Sequence, residues 1–257
     1  RNSHKGNYGH LHCIGGSLGM SGAIVLAARA GMRGGAGWVS AKVPTSVLER
    51  VASCLPEAMV QAGEPVRKAD ALVVGPGMGC SSETQQQVLN LLKQVDTPLV
   101  LDADGLSVLE GNLDPIRQSK SELVITPHPG EFAGLFGIKV EELQSDRDAL
   151  AKMAAAQLQV VCVLKGARTV VAAPNGRVAL NATGNPGMAT AGAGDVLAGL
   201  IGALLAQGLS SFEAACAGVW LHGQAGDLAA AAGAEISLSA GDIIEKLPEA
   251  FRSVSPR

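Results

Sequence analysis

From residue 10 onward, short apolar runs of strand type alternate with longer stretches of helical periodicity. The strand-type runs are 10–14 (HLHCI), 37–41 (GWVSA), 71–75 (ALVVG), 98–102 (PLVLD), 122–126 (ELVIT) and 160–164 (VVCVL). Helical patterns cover 21–33, 44–53, 81–95, 104–110, 141–157, 195–207 and 211–232. Such alternation predicts βαβ units on a parallel sheet with helices on its faces. The exception is 169–182 (TVVAAPNGRVALNA), two apolar runs joined at Asn175-Gly176, a strong hairpin signal. With 33 glycines and only 3% aromatic residues, the helices are expected to pack close to the sheet. No fixed-period repeat or linker-like stretch interrupts the pattern, so residues 1–257 are expected to form one α/β domain.

Charge and hydropathy narrow the function. A net charge of −3 without blocks of like charge gives no electrostatic reason to expect a nucleic-acid partner or a membrane surface. The longest apolar stretches, 24–30 and 196–206, fall far short of the about 20 residues of a membrane span. No signal-peptide pattern is present, so a cytoplasmic setting is expected. The five cysteines are scattered without a C-x-x-C pair, which predicts reduced, buried and inert thiols. The start at Arg1 rather than Met leads us to expect a piece excised from a longer chain.

In open α/β sheets ligands collect at the carboxyl ends of the strands. Five Gly-rich or polar clusters stand there: GGSLGMSGA (15–23), GPGMG (75–79), DADGL (102–106), TPHPGE (126–131) and KGART (165–169). A sixth, NPGMATAGAGD, ends where an apolar helix begins. Gly192, Ala193 and Gly194 leave bare backbone at a helix start, where N–H groups and the dipole favour an anion. Asp195 beside such an anion would repel it as a passive ligand, yet suits a base that deprotonates a hydroxyl attacking a phosphate. The alternative is an ordinary helix cap.

The remaining clusters have double readings. Gly75 to Gly79 and Gly15 to Ala23 allow close approach of a ligand or simply turn the chain. Neither matches a dinucleotide G-x-G-x-x-G fingerprint or a phosphate-loop lysine motif. Asp102 and Asp104 could hold Mg²⁺ through water, or Asp104 could cap a helix beginning at Gly105. His128 lies between Pro127 and Pro129 in what reads as a stiff display loop, and Glu131 reads equally as a first-turn helix acid. Lys165-Gly166-Ala167-Arg168-Thr169 suits a nucleotide phosphate or ribose, or is a charged turn. His10 and His12 alternate on one strand face without a third ligand nearby, so packing is expected of them.

Taken in order, SHKGNYGHLHCIGGSLGMSGA, GPGMG, LDADGL, TPHPGE, LKGART and GNPGMATAGAGD resemble the NAD(P)H-hydrate dehydratases, members of the ribokinase-like superfamily. The resemblance runs from Ser3 to about Ala231. It implies a ribokinase-like three-layer α/β/α sandwich around a mostly parallel sheet. The implied reaction returns the S-form of hydrated NADH or NADPH to the reduced dinucleotide, using ADP (or ATP) and Mg²⁺. Position by position, the hydrate falls to Ala23, Gly79, His128 and Asp195, with Gly77 added from its place in the same loop. The nucleotide falls to Lys165, Gly166, Ala167, Arg168, Thr169 and Gly194, the anion hole to Gly192–Gly194, and catalysis to Asp195. The resemblance also implies a homo-oligomer, a tetramer being the particular expectation, and an epimerase domain fused upstream or supplied separately. A ribokinase-like kinase of a thiazole or hydroxymethylpyrimidine vitamin precursor is the alternative; it would share Asp195 but has no use for TPHPGE and GPGMG. The choice between ADP and ATP rests only on the missing targeting segment, which favours ADP.

Overall fold

The computed structural model describes residues 2–63, 68–141 and 146–254. One nine-stranded sheet runs through it in the order β3-β2-β1-β4-β5-β6-β7-β8-β9. The strands are β1 (His10–Ile14), β2 (Trp38–Lys42), β3 (Met59–Gln61), β4 (Ala71–Val74), β5 (Leu99–Leu101), β6 (Leu123–Ile125), β7 (Val161–Leu164), β8 (Val170–Ala172) and β9 (Val178–Leu180). Neighbours from β3 to β7 pair in parallel, and the β7–β8 and β8–β9 pairs are antiparallel. The final hairpin turns at Asn175-Gly176, where Ala173 N–H donates to Arg177 O at 2.9 Å.

Ten helices are named here: α1 (Ser21–Arg33), α2 (Leu48–Cys54), α3 (Ser82–Gln94), α4 (Asp104–Ser107), α5 (Asp114–Arg117), α6 (Pro129–Phe136), α7 (Arg147–Leu158), α8 (Ala193–Ala206), α9 (Ser211–Ala232) and α10 (Ala240–Val254). The strands between the two edges of the sheet are buried on both faces, so apolar side chains point both ways and feed two cores. Leu11, Val39, Val73, Val100 and Val163 pack under α1, α8, α9 and α10. Leu72, Leu99, Leu101, Ile125 and Leu164 pack under α3, α6 and α7. These are the three layers of an α/β/α sandwich, the architecture that the ribokinase-like resemblance implies.

Small residues set the spacing of the first layer. A Cβ at Gly199 of α8 would lie 2.0 Å from the Ala27 carbonyl oxygen of α1, so these helices cross at backbone contact. Within the sheet, β1 leads to β2 on one side while its other neighbour is β4, so the winding reverses there. Gly16 N–H donates to Pro76 O at 2.8 Å and ties the loops after β1 and β4 together across this switch point.

Several expectations are corrected. β3, α5, α6 and α10 were not anticipated. β3 is three residues at the sheet edge, too short to show a period. α10 carries Pro248, but its buried Ile243, Ile244, Leu247 and Ala250 follow helical spacing and were legible. The helix expected over 104–110 is only Asp104–Ser107. The one expected over 141–157 is found as Arg147–Leu158, and residues 142–145 lie outside the described residues. Cys13 and Cys162 are buried, their thiols pushed up to about 12 by burial, but Cys54 and Cys80 are exposed. His10 and His12 are buried and joined through Ser40 Oγ, 2.7 Å from a ring nitrogen of each. Among the described residues no helix is long and apolar enough to cross a membrane.

Candidate active site

The clusters gather along the carboxyl edge of the sheet. α8 begins one residue after Gly192, whose φ of 89° lies in the left-handed region that glycine adopts without strain. A Cβ there would stand 2.4 Å from Leu26 Cδ1 of α1, so the turn sits flush on that helix. The Ala193 N–H donates to Thr190 O at 3.3 Å. Gly194 and Asp195 follow in the first helical turn, where an α-helix supplies no carbonyl for the backbone N–H groups.

Asp195 is partly buried, and its carboxyl is pushed up to about 7. Burial is the main cause; the charges of Asp102, Asp104 and Glu131 push the same way and Lys165 opposes them. Lys165 leaves the end of β7 and places Nζ 2.6 Å from Asp102 Oδ1 and 3.7 Å from Glu131 Oε2. Burial works against its charge, yet Asp102 and Glu131 hold its pKa above the usual lysine value. The ammonium also passes close to the helix start, 3.3 Å from where a Gly194 Cβ would be.

His128 and Glu131 join this cluster from the other side. The TPHPGE run is a helix entrance rather than an extended display loop. Pro129 takes the first position of α6, where a missing N–H costs nothing. His128 Nδ1 accepts the N–H groups of Gly130 (3.0 Å) and Glu131 (3.2 Å), and Glu131 Oε2 accepts the His128 N–H at 2.7 Å. This reciprocal cap fixes the imidazole, which remains about half exposed. Burial chiefly raises the Glu131 pKa, with Lys165 opposing.

On the switch-point side, Ala23 of α1 faces Gly77: a Cβ on Gly77 would lie 3.0 Å from the Ala23 methyl and 2.4 Å from the Met20 carbonyl oxygen. Ala23 and Leu26 are one turn apart on α1, so one helix face meets both the Gly77 loop and the Gly192 turn. The Gly79 N–H donates to Asp104 Oδ2 at 2.7 Å. Asp104 is thus the first residue of α4 and a brace for the Gly75–Gly79 loop, not a cap for a helix starting at Gly105. Asp102 is 1% exposed and spent on Lys165, and among the described residues no group of three His, Cys, Asp or Glu side chains is placed to hold a metal.

The 165–169 loop projects from β7 beside Lys165. Arg147 of α7 donates to the carbonyls of Leu164 (3.0 Å) and Lys165 (2.8 Å), holding the strand end. Thr169 Oγ1 donates to Gly166 O at 2.9 Å and folds the loop on itself, leaving Ala167 and Arg168 exposed. Arg147 and Glu131 were not singled out as site residues from sequence. Arg147 carries no motif, and Glu131 was weighed only as a helix acid.

A ribokinase-like sandwich whose glycine-rich helix start carries a carboxylate near a half-buried lysine defines a phosphoryl-transfer class of site. Comparison with known proteins narrows the class. The family model described as NAD(P)H-hydrate dehydratase matches residues 11–249. The ADP-dependent (S)-NAD(P)H-hydrate dehydratase of Neisseria meningitidis is 43% identical, over 94% of this chain and 84% of that protein. The bifunctional NAD(P)H-hydrate repair enzyme of Moorella thermoacetica is 42% identical, over 98% of this chain and 51% of that one. This chain thus spans about half the length of the bifunctional relatives it matches. The Bacillus subtilis ADP/ATP-dependent NAD(P)H-hydrate dehydratase co-crystallized with ATP/Mg²⁺ superposes with a TM-score of 0.90 at 34% identity, covering 99% of this chain and 92% of that one. The chain belongs to the NAD(P)H-hydrate dehydratase family.

Proposed function

We propose that this chain uses ADP to return the S-form of hydrated NADH or NADPH to the reduced dinucleotide. The observation that carries the proposal is Asp195 at the start of α8, its carboxyl raised chiefly by burial, with the Lys165 ammonium close to the same helix start. A carboxyl with a pKa about 7 can accept a proton near neutrality, and a half-buried ammonium near it can meet a transferring phosphate.

Water is lost from the hydrate in two stages. Asp195 takes the proton of the ring hydroxyl as its oxygen attacks the terminal phosphorus of ADP, and AMP leaves. The first-turn N–H groups at Gly194 and Asp195, with Lys165, balance the charge on the phosphoryl group in flight. The ring now carries a phosphate ester. Hydroxide is a poor leaving group because its conjugate acid has a pKa of roughly 15.7. Phosphate, with a second pKa of about 6, leaves far more readily. The ring nitrogen lone pair expels it, and loss of a proton from the adjacent ring carbon restores the double bond.

In this reading the hydrate lies along Ala23, Gly77, Gly79 and His128, and the nucleotide lies against residues 165–169 and Gly194. Mg²⁺ comes with the nucleotide phosphates, where it would neutralise charge. The proposal extends to one ribokinase-like unit over 1–257, cytoplasmic and assembled with copies of itself, working with an epimerase that is fused or separate. The N. meningitidis relative, ADP-dependent as described, supports the choice of donor.

The test is recovery of reduced-nicotinamide absorbance from hydrated NADH with Mg²⁺ and ADP, ATP or no nucleotide. Recovery with ADP is the expected result. Recovery with ATP alone would keep the reaction and change the donor. No recovery under any condition would return the chain to the vitamin-precursor kinases.

A further inference from the structure

Between the hairpin and α8 runs a lip, residues 181–192, that joins the two places where the nucleotide is proposed to bind. At its start, Asn181 N–H donates to Thr169 O at 2.9 Å, against the 165–169 loop; at its end stand Gly192 and α8. The lip is exposed or half-buried along its length, and one face of α9 holds residues 183–188 of it. Asp227 accepts the Gly184 N–H at Oδ2 (2.9 Å) and the Asn185 Nδ2–H at Oδ1 (3.0 Å). Asn185 Oδ1 in turn accepts the Gly187 N–H at 3.0 Å. Thr183 Oγ1 donates to the Trp220 carbonyl at 2.9 Å, one helical turn before the small residues that admit the lip. A Cβ on Gly223 would meet Thr183 Oγ1 at 2.2 Å, and one on Gly226 would meet Met188 Sδ at 2.2 Å. Trp220, Gly223 and Asp227 recur at helical spacing, so a single stripe of α9 grips residues 183–188.

We propose that Asp227 is a positioning residue for the nucleotide: by clamping Gly184 and Asn185 it fixes the lip across which ADP reaches the helix start at Gly194. The carboxylate is suited to this because it satisfies two donors of the lip at once, and charge-assisted bonds are the stronger kind. Four residues, Ala189 to Gly192, then span from the clamped turn to α8. A lip loosened at Gly184 carries that slack to the phosphate site.

This inference rests on the nucleotide reading above, and the experiment separates the two. In the ligand-free protein, amide hydrogen exchange at 184–188 is compared among wild type, Asp227→Ala, Asp227→Asn and Asn185→Asp. The last keeps the Gly187 cap, sets two carboxylates against each other, and alters only the lip, so it stays informative if Asp227→Ala fails to fold. ADP affinity is measured by calorimetry, and KM for ADP and kcat by absorbance recovery. Exchange at 184–188 is expected to quicken in every variant. The ADP dissociation constant and KM should rise about tenfold in Asp227→Ala and less in Asp227→Asn, with KM for the hydrate little changed. Unchanged exchange would overturn the clamp. Faster exchange with ADP affinity intact, or a uniform loss of rate without a KM change, would overturn the positioning role. A wild-type protein that binds no ADP would defeat the nucleotide reading, while the exchange comparison would still decide the clamp.

Discussion

Replacing Asp195 with asparagine removes a titrating group from a partly buried site while keeping its shape, and stability should register the change as a function of pH. The carboxyl has a pKa of 3.8 in an ordinary setting and about 7 in the folded protein. Folded molecules therefore hold a proton that unfolded molecules release between those values. Wild-type stability must fall as pH rises through that window and level off on either side. A displacement of about three pKa units corresponds to a ceiling of about 4 kcal/mol. Solvent access at the open side of the site will reduce it. Asparagine does not titrate, so the stability of Asp195→Asn relative to wild type should climb between pH 4 and pH 7.5 by a few kcal/mol and then hold. Urea denaturation at half-unit pH intervals, followed by the fluorescence of Trp38 and Trp220, measures it. In the same variant kcat should drop by about 10² to 10⁴. A difference that stays flat across the pH range would refute the claim that the fold holds a protonated carboxyl at Asp195, and the assignment of a base working near neutrality would go with it.

Three further outcomes are expected. Lys165→Gln removes the cation that opposes the Asp195 shift, so the acid limb of kcat against pH should move upward and KM for ADP should rise; a limb at its wild-type position would show that the two groups do not communicate. His128→Ala should raise KM for the hydrate more than for ADP, because the proposed function lays the hydrate along His128; equal effects in steady-state kinetics would argue against that placement. Gly199→Ala places a methyl where it would be 2.0 Å from the Ala27 carbonyl oxygen, and it should cost about 1–3 kcal/mol in thermal or urea unfolding as α1 and α8 separate; an unchanged midpoint would mean that the crossing yields freely.

Much of the fold was legible because a parallel sheet buried on both faces leaves plain apolar runs. Leu72 to Val74 and Leu99 to Leu101 could be little else. What escaped depended on contacts that no local window contains. β3 is a strand only because β2 offers an edge to Met59, Val60 and Gln61. α6 was hidden by Pro127 and Pro129, which read as a rigid loop, although Pro129 and Glu131 together also spell a helix entrance. Within the site, the glycine-rich turn and its carboxylate were visible from chemistry alone. The bond between Lys165 and Asp102 was not, since 63 residues separate the partners. That bond gives Asp102 a role the sequence did not show, the counter-charge of a lysine.

The same separation has a kinetic consequence. Asp102 and Lys165 follow different strands, β5 and β7, and they meet only after β6 has been laid between them. The Gly192 turn in its place needs α1, from the far end of the chain, to be docked as well. Chains closing such long loops must bear the entropic cost before any contact repays it. During refolding, then, helical signal and burial of Trp38 should return first, and the ability to turn over ADP should be the last property recovered.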